Sequence, residues 1–205
     1  SLVKTLECFG LSADAFCPAY GVLEATLAVT MWAPGAVPRI RYFERASLGC
    51  GMRVAEVSET DADAVAMVDQ GSVIAEWELR VVDADRATVR EGVVGRILVR
   101  GPGVFSAYYG RPNATNLAKQ GTWLNTGDIG FVLGGRLFVC GRSQDVLVVR
   151  GQIFHSQDLE TALQNIPGLG SKRVAVTGWL DEEAECERMV VFAEPHVAVG
   201  PVSYT

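Results

Sequence analysis

The chain has 205 residues, of which 49% are hydrophobic and 20% charged, enough apolar side chain to order a domain and too much for a disordered one. At roughly 100–200 residues per domain, this length holds one domain, or one and a part. Eighteen Lys and Arg against 24 Asp and Glu leave a net charge of −6, which disfavours a general binder of nucleic acid or of an acidic membrane surface.

Glycine is dense, with 22 residues, and punctuates short apolar runs, the pattern of many short strands joined by turns. Residues 15–30 form an apolar segment that turns at Pro18 and Gly21. Residues 39–74 are charged, poor in aromatics after Phe43, and carry an acidic cluster of Glu56, Glu59, Asp61 and Asp63. They read as a partly ordered excursion on the surface, outside the core. "EWELRVVD" at 76–83 alternates as a strand, and "VVGRILVR" at 93–100 reads as another, closed by Gly101-Pro102-Gly103. Residues 112–120 hold a short helix with Asn113 as its cap. "RLFVC" at 136–140 and "DVLVVR" at 145–150 are strands parted by Gly141 and Arg142. Apolar residues at 159, 162, 163 and 166 give helical spacing over 156–166, with Ser156 as N-cap and Pro167-Gly168 as the stop. Residues 174–177 and 189–193 are further strands. The expected fold class is mixed α/β and β-rich. The first 140 residues are mainly β, a small α+β unit occupies 146–205, and the boundary lies at 141–145.

The longest apolar stretch, residues 25–38, contains two prolines and is shorter than the about 20 residues a spanning helix needs, so no membrane span is expected. No signal peptide opens the chain, and the expected location is cytoplasmic. A first residue Ser1 in place of Met reads as a piece of a longer protein. Cys8, Cys17, Cys50, Cys140 and Cys186 form no C-x-x-C pair and stand far from His155 and His196. Neither a disulfide framework nor a zinc site is expected; reduced, mostly buried thiols are.

Four short motifs carry residues suited to nucleotide chemistry. In Tyr20-Gly21-Val22-Leu23-Glu24, a glycine beside an aromatic lets a flat ring lie against a ligand, and the carboxylate of Glu24 is of a kind that holds Mg²⁺. In Asn125-Thr126-Gly127-Asp128, a carboxylate on a tight turn can accept from both hydroxyls of a ribose. In Gly141-Arg142-Ser143-Gln144-Asp145, the fixed planar donor Arg142 can reach a ribose or phosphate oxygen. The fourth, residues 150–158 ("RGQIFHSQD"), is a turn feeding a capped helix. Taken singly, each is more often a buried tyrosine at a turn, a hairpin turn, a surface ion pair or a simple cap.

Order and spacing change that weighing. Together the four resemble the adenylate-forming superfamily of acyl-CoA synthetases, peptide-synthetase adenylation domains and luciferases, over about residues 16–193. "PAYGVLEATL" resembles its tyrosine-glycine-glutamate motif, "VVGRILVRGPGVFSAYYGRPNAT" its strand-loop segment, "GTWLNTGDIGFV" its threonine-glycine-aspartate motif, and "GRSQDVLVVRGQIFHSQDLE" its hinge and the first helix of its mobile C-terminal domain. "YGVLEATL" and "RGQIFHSQDLE" look most like fatty acyl-AMP ligases. The charged segment 39–74 lies where that branch carries an insertion that holds back domain movement.

The resemblance implies a β-barrel-like subdomain of a large N-terminal domain over residues 1–140, then the start of a mobile domain over 146–205. It implies ATP and AMP as nucleotides with Mg²⁺, a fatty acid as substrate, and an acyl carrier protein or polyketide synthase loading module as acceptor. Tyr20 and Gly21 resemble the adenine-packing element, Glu24 the Mg²⁺ ligand, and Asp128 the ribose-diol acceptor. Arg142 resembles the second ribose contact, Asp145 the hinge, and Gly151 an element of the acceptor tunnel.

Two departures stand out: Leu23 replaces a hydroxyl residue, and Arg96 replaces a glutamate. A Ser/Thr/Gly-rich phosphate loop ending in Lys does not occur, and of Lys4, Lys119 and Lys172 none stands in the context of the family's late catalytic lysine. Gly168-Leu169-Gly170-Ser171-Lys172 reads as a turn. Residues 1–205 alone are therefore expected to be inactive. An ordinary acyl-CoA synthetase, or a non-catalytic nucleotide- or acyl-binding module of the same fold, are the alternative readings.

Overall fold

The computed structural model describes residues 5–6, 8–149, 152–164, 166, 169–181 and 186–195. Two compact units divide the chain, residues 1–140 and 141–205. In the first, glycine and proline interrupt the apolar runs before a helix can propagate, and short strands result. They begin with β1 (Ala19–Tyr20), β2 (Thr30–Met31), β3 (Ile40–Glu44), β4 (Ala64–Val68) and β5 (Ser72–Val73). β1, β2 and β5 pair in that order, and β3 pairs with β4 from Ile40↔Val68 to Glu44↔Ala64, all antiparallel.

The main sheet follows: β6 (Glu78–Val82), β7 (Gly95–Arg100), β8 (Lys119–Gln120), β9 (Trp123–Leu133) and β10 (Arg136–Arg142). Its order is β10-β9-β7-β6, with β8 paired to β9. β10 runs through Gly141 and Arg142, which do not break it. Helix α1 (Pro112–Ala118) starts after Arg111 with no side-chain cap. The expected cap Asn113 lies inside it, because Pro112 supplies the start: its φ is already helical and its missing N–H needs no partner there.

Residues on β10 alternate between two cores. Leu137 joins Tyr20, Ala25, Val29, Ile97, Val99 and Leu124, whereas its neighbour Phe138 joins Phe43, Leu48, Met67, Val94 and Phe131. The second set overturns the reading of 39–74 as a surface excursion. Phe43 is fully buried and meets Phe131 and Phe138 edge-on, with ring centroids 5.1 and 5.6 Å apart. The polar composition comes from the connection between β3 and β4, which carries Glu56, Glu59, Asp61 and Asp63, while Phe43, Met67 and Val65 of the strands pack inward. Arg41, on the same face as Phe43, lies over the Phe43 and Phe138 rings and pairs with Glu56 of the connection. Asp69, 2% exposed, pairs with Arg136 and accepts from the Gly71 N–H at 2.8 Å. The Arg136 guanidinium lies 3.8 Å from the centroid of the Trp32 ring.

The thiols also differ from expectation. Cys8, Cys17 and Cys50 are exposed, because they stand in turns and irregular chain. Cys140 is half-buried on β10, and burial pushes its thiol up to about 12.

In the second unit, β11 (Val146–Val149) and β12 (Gln152–His155) form an antiparallel hairpin, Val146↔His155 to Val149↔Gln152. Helix α2 (Ser156–Gln164) follows directly. β12 runs into it without a linker, so Ser156 is its first residue and not its cap; the hydroxyl is buried without a partner. β13 (Leu169–Asp181) and β14 (Cys186–Pro195) make a long antiparallel pair. Residues 169–172 thus belong to a strand and not a turn, with a register shift between Leu169 and Val174. The Glu160 carboxylate accepts from the Val176 N–H at 2.9 Å and ties α2 to β13. Among the described residues no helix is long and apolar enough to cross a membrane. Gly151, Pro167 and Gly168 lie outside the described residues.

Candidate functional site

Asn125-Thr126-Gly127-Asp128 sits inside β9 and is not a hairpin turn. β7 pairs with β9 as Arg96↔Ile129 and Leu98↔Asn125, so Thr126, Gly127 and Asp128 together stand against Ile97. The extra residues form a bulge, a device that re-aims a side chain. The sequence supplies its internal bonds. Thr126 Oγ1 donates to the Ile97 carbonyl at 2.9 Å and accepts from the Asp128 N–H at 3.1 Å, and Asn125 Oδ1 accepts from the Gly127 N–H at 3.2 Å. Gly127 has φ +79°, which glycine adopts without strain. Asp128 Oδ2 then accepts from the Tyr20 hydroxyl at 2.7 Å.

Tyr20 comes from β1. Only 8% of it is exposed, its ring lies in the aliphatic core, and its carbonyl accepts from the Val29 N–H at 2.8 Å. Gly21 is required by the next turn, since a Cβ there would collide with the Leu27 carbonyl. Glu24 lies in the 3-10 turn Leu23–Ala25. Its carbonyl accepts from the Phe105 N–H at 2.7 Å, and its Oε1 accepts from the Tyr108 hydroxyl at 2.6 Å. That bond to a carboxylate holds the Tyr108 phenol above its ordinary range.

Tyr20 and Glu24 thus share one short segment, and pairing brings to it Asp128 and Tyr108, which are 108 and 84 residues away in sequence. Each carboxylate is held by a tyrosine hydroxyl. Sequence reasoning missed Tyr108. Its signal was the pair Tyr108-Tyr109 ahead of Pro112: Tyr109 is fully exposed, whereas Tyr108 turns to Glu24.

Arg142, exposed at the end of β10, and Asp145, half-buried in the 3-10 turn Ser143–Asp145, belong to the second unit. The two departures have local explanations. Arg96 Nη2 donates to the carbonyls of Asp83 and Ala84, at 2.6 and 2.9 Å, and so holds a turn. Leu23 is 91% exposed and takes no part in the core. Among the described residues no cluster of three His, Cys, Asp or Glu could hold a metal by itself. Glu24 nonetheless fits Mg²⁺: its carboxylate is a hard donor, its Oε2 has no hydrogen-bond partner among the described residues, and Mg²⁺ sites commonly combine one or two carboxylates with substrate phosphates.

No family model matches the chain. It is 33% identical over 201 residues to the 4-hydroxyphenylalkanoate adenylyltransferase of Mycobacterium marinum, covering 91% of this chain and 31% of the relative. It is 34% identical over 176 residues to the long-chain-fatty-acid–AMP ligase FadD32 of Mycolicibacterium smegmatis, covering 76% and 28%. A solved structure from a study of fatty acyl-adenylate ligases of E. coli and L. pneumophila has the same fold: TM-score 0.76 at 23% identity, over 96% of this chain and 34% of that one. The chain belongs to the adenylate-forming superfamily. Within that superfamily it is most like the fatty acyl-AMP ligases, and it spans about a third of the length of the curated relatives it matches.

Proposed function

We propose that this chain serves a fatty acyl-AMP ligase, in which ATP and a fatty acid give acyl-AMP and pyrophosphate and the acyl group then passes to the thiol of an acyl carrier protein or polyketide synthase loading module. The cytoplasm is the proposed location. The observation that carries the reading is the pair of tyrosine-held carboxylates, Asp128 on its bulge and Glu24 on its turn, inside a chain of this superfamily. Asp128 accepts from the two ribose hydroxyls, and the Tyr20 hydroxyl keeps its carboxylate in place. Tyr20 and Gly21 are the proposed adenine-packing element, and the Tyr20 hydroxyl in addition holds Asp128.

Carboxylate attack on the α-phosphate brings anions together. Mg²⁺, when bound, offsets that charge, and Glu24 is the residue that would hold it. Arg142 is the proposed second ribose contact, 141–145 the hinge with Asp145 as its pivot, and Gly151 part of the acceptor tunnel. Segment 39–74 is proposed as the insertion that disfavours the rotation needed for thioester formation with coenzyme A. A bias of about 3 kcal/mol would suppress that conformer more than a hundred-fold, since each 1.4 kcal/mol is a factor of ten.

The test is acyl-AMP formation by the full-length protein with carrier protein and coenzyme A compared as acceptors. Acyl-AMP without substantial acyl-CoA supports the reading; substantial acyl-CoA moves it to an ordinary synthetase. A hydrogen bond to a charged group contributes roughly 1.5–3 kcal/mol, so Asp128→Ala is expected to raise the ATP KM about tenfold or more. Unchanged ATP kinetics would remove Asp128 from the site. Residues 1–205 alone are expected to release no pyrophosphate.

A further inference from the structure

Among the described residues the hydroxyl of Tyr108 is the one hydrogen-bond partner of the Glu24 carboxylate, and the chain around it is built to keep it there. The loop 101–108 is bonded to the Glu24 turn at two points: Phe105 N–H donates to the Glu24 carbonyl at 2.7 Å, and Thr26 Oγ1 donates to the Gly103 carbonyl at 2.9 Å. The approach is close enough that a Cβ on Gly103 would crowd Thr26 Oγ1 and the Trp77 ring. From the other side, Lys119 Nζ donates to the carbonyls of Phe105 and Ser106, at 3.0 and 3.3 Å. The Tyr108 N–H donates to Thr115 Oγ1 at 3.0 Å, and its ring packs on Phe105 with centroids 4.6 Å apart. Backbone, ring and loop are therefore each restrained before the hydroxyl meets Glu24 Oε1.

We infer that Tyr108 is a positioning residue: by occupying Oε1 from this braced loop it orients Glu24 so that Oε2 is presented to a divalent cation. The inference deepens the proposed function and rests on Glu24 being the metal-holding residue. Its physical basis is the cost of orienting a flexible carboxylate. Unrestrained, Glu24 would lose rotamer freedom on binding a cation; held by Tyr108, it has lost that freedom already. Groups that orient metal ligands typically affect metal affinity by 10–100-fold. The pair Tyr108-Tyr109 marks the place in the sequence, but that Tyr108 reaches Glu24 depends on how loop 101–108 folds back on residues 24–26.

The experiment measures Mn²⁺ affinity by electron paramagnetic resonance, on the full-length protein with a non-hydrolysable ATP analogue. The variants are Tyr108→Phe, Glu24→Gln and the double variant. Tyr108→Phe keeps the ring and its packing and removes only the hydroxyl. It is expected to weaken Mn²⁺ binding about tenfold, Glu24→Gln at least as much, and the double variant no more than Glu24→Gln alone. Affinity for Mn²⁺ within twofold of the wild type in Tyr108→Phe would overturn the inference while leaving Glu24 as the ligand. So would a further loss on adding Tyr108→Phe to Glu24→Gln, since damage unrelated to Glu24 would be additive. If Glu24→Gln itself binds Mn²⁺ normally, the metal reading of Glu24 fails and the inference fails with it. Should Tyr108→Phe not fold, Thr115→Val, which loosens the Tyr108 backbone, is expected to weaken Mn²⁺ binding in the same direction by a few-fold, and an unchanged affinity there would overturn the inference.

Discussion

The two cores of the first unit are built differently, although both draw on β10. One is mostly aliphatic, with Ala25, Val29, Ile97, Val99, Leu124 and Leu137 around the Tyr20 ring; the other is aromatic, with Phe43, Phe131 and Phe138 in mutual contact. The aliphatic core includes the ring of Tyr20, whose hydroxyl reaches outward to Asp128, so polar function sits at its margin. The aromatic core has no carboxylate of the site. It roots the segment 39–74 through Phe43, Leu48 and Met67, under a surface bearing Arg41 and Glu56. The lesson is that one core positions a site and the other anchors a polar segment whose composition hides its attachment.

Four substitutions test that division. Phe43→Ala removes the ring that touches both Phe131 and Phe138 and leaves a cavity. It should cost about 3–5 kcal/mol in the denaturation of this chain, the range for Phe→Ala in a core. A cost under about 1 kcal/mol would return 39–74 to the surface.

Arg136→Met leaves the buried Asp69 carboxylate without its charge partner. Breaking a buried pair costs more than the pair contributes, but Arg136 is 31% exposed and water can replace part of what it supplies. About 2 kcal/mol is expected. Hydrogen exchange should rise at Gly71, whose N–H the same carboxylate holds.

Tyr20→Phe keeps the ring in the aliphatic core and removes only the hydroxyl on Asp128. Asp128 is half-buried and can be rewetted, so stability should fall by about 1 kcal/mol. In the full-length protein the ATP KM should rise with it. A variant that loses stability but leaves the ATP KM unchanged would separate the tyrosine from the site.

Glu56→Gln probes the surface over the aromatic core. The hydrogen bond from Arg41 holds the Glu56 carboxyl below its ordinary range, with burial opposing. A depressed folded-state value means stability that is present above the unfolded carboxyl's titration and lost as pH falls through the folded one. Glu56 is 49% exposed, so solvent screens the pair and the contribution should be only a few tenths of a kcal/mol. Melting of wild type and variant at pH 7 and at successively lower pH checks it: the difference should shrink as pH falls through the folded carboxyl's titration.

Local pattern made several elements legible. β6 alternates, β7 is a short apolar run closed by glycine and proline, and α2 repeats its apolar residues at helical spacing. The tyrosine-glycine-glutamate and threonine-glycine-aspartate motifs announced Tyr20, Gly21, Glu24 and Asp128 together. Two caps, Asn113 and Ser156, were read wrongly because capping depends on how the preceding chain enters the helix: Pro112 starts one helix, and β12 runs straight into the other. Segment 39–74 misled because mean polarity averages the acidic connection between β3 and β4 with the strands themselves, whose Phe43 and Met67 are core.

What the sequence determined by itself was therefore short-range: the period of each strand, the residue types suited to nucleotide chemistry, and the superfamily that their order marks. Tertiary structure decided the partners. Phe43 becomes core only when its hairpin meets Phe131 and Phe138, and Asp69 tolerates burial only beside Arg136. Asp128 meets Tyr20 through a bulge set by the register of β7 on β9, and Tyr108 meets Glu24 because loop 101–108 folds back on Thr26. Each of these depends on strand register or loop closure between residues far apart in the chain; a local period says which face of a strand is buried but not which distant residue it meets.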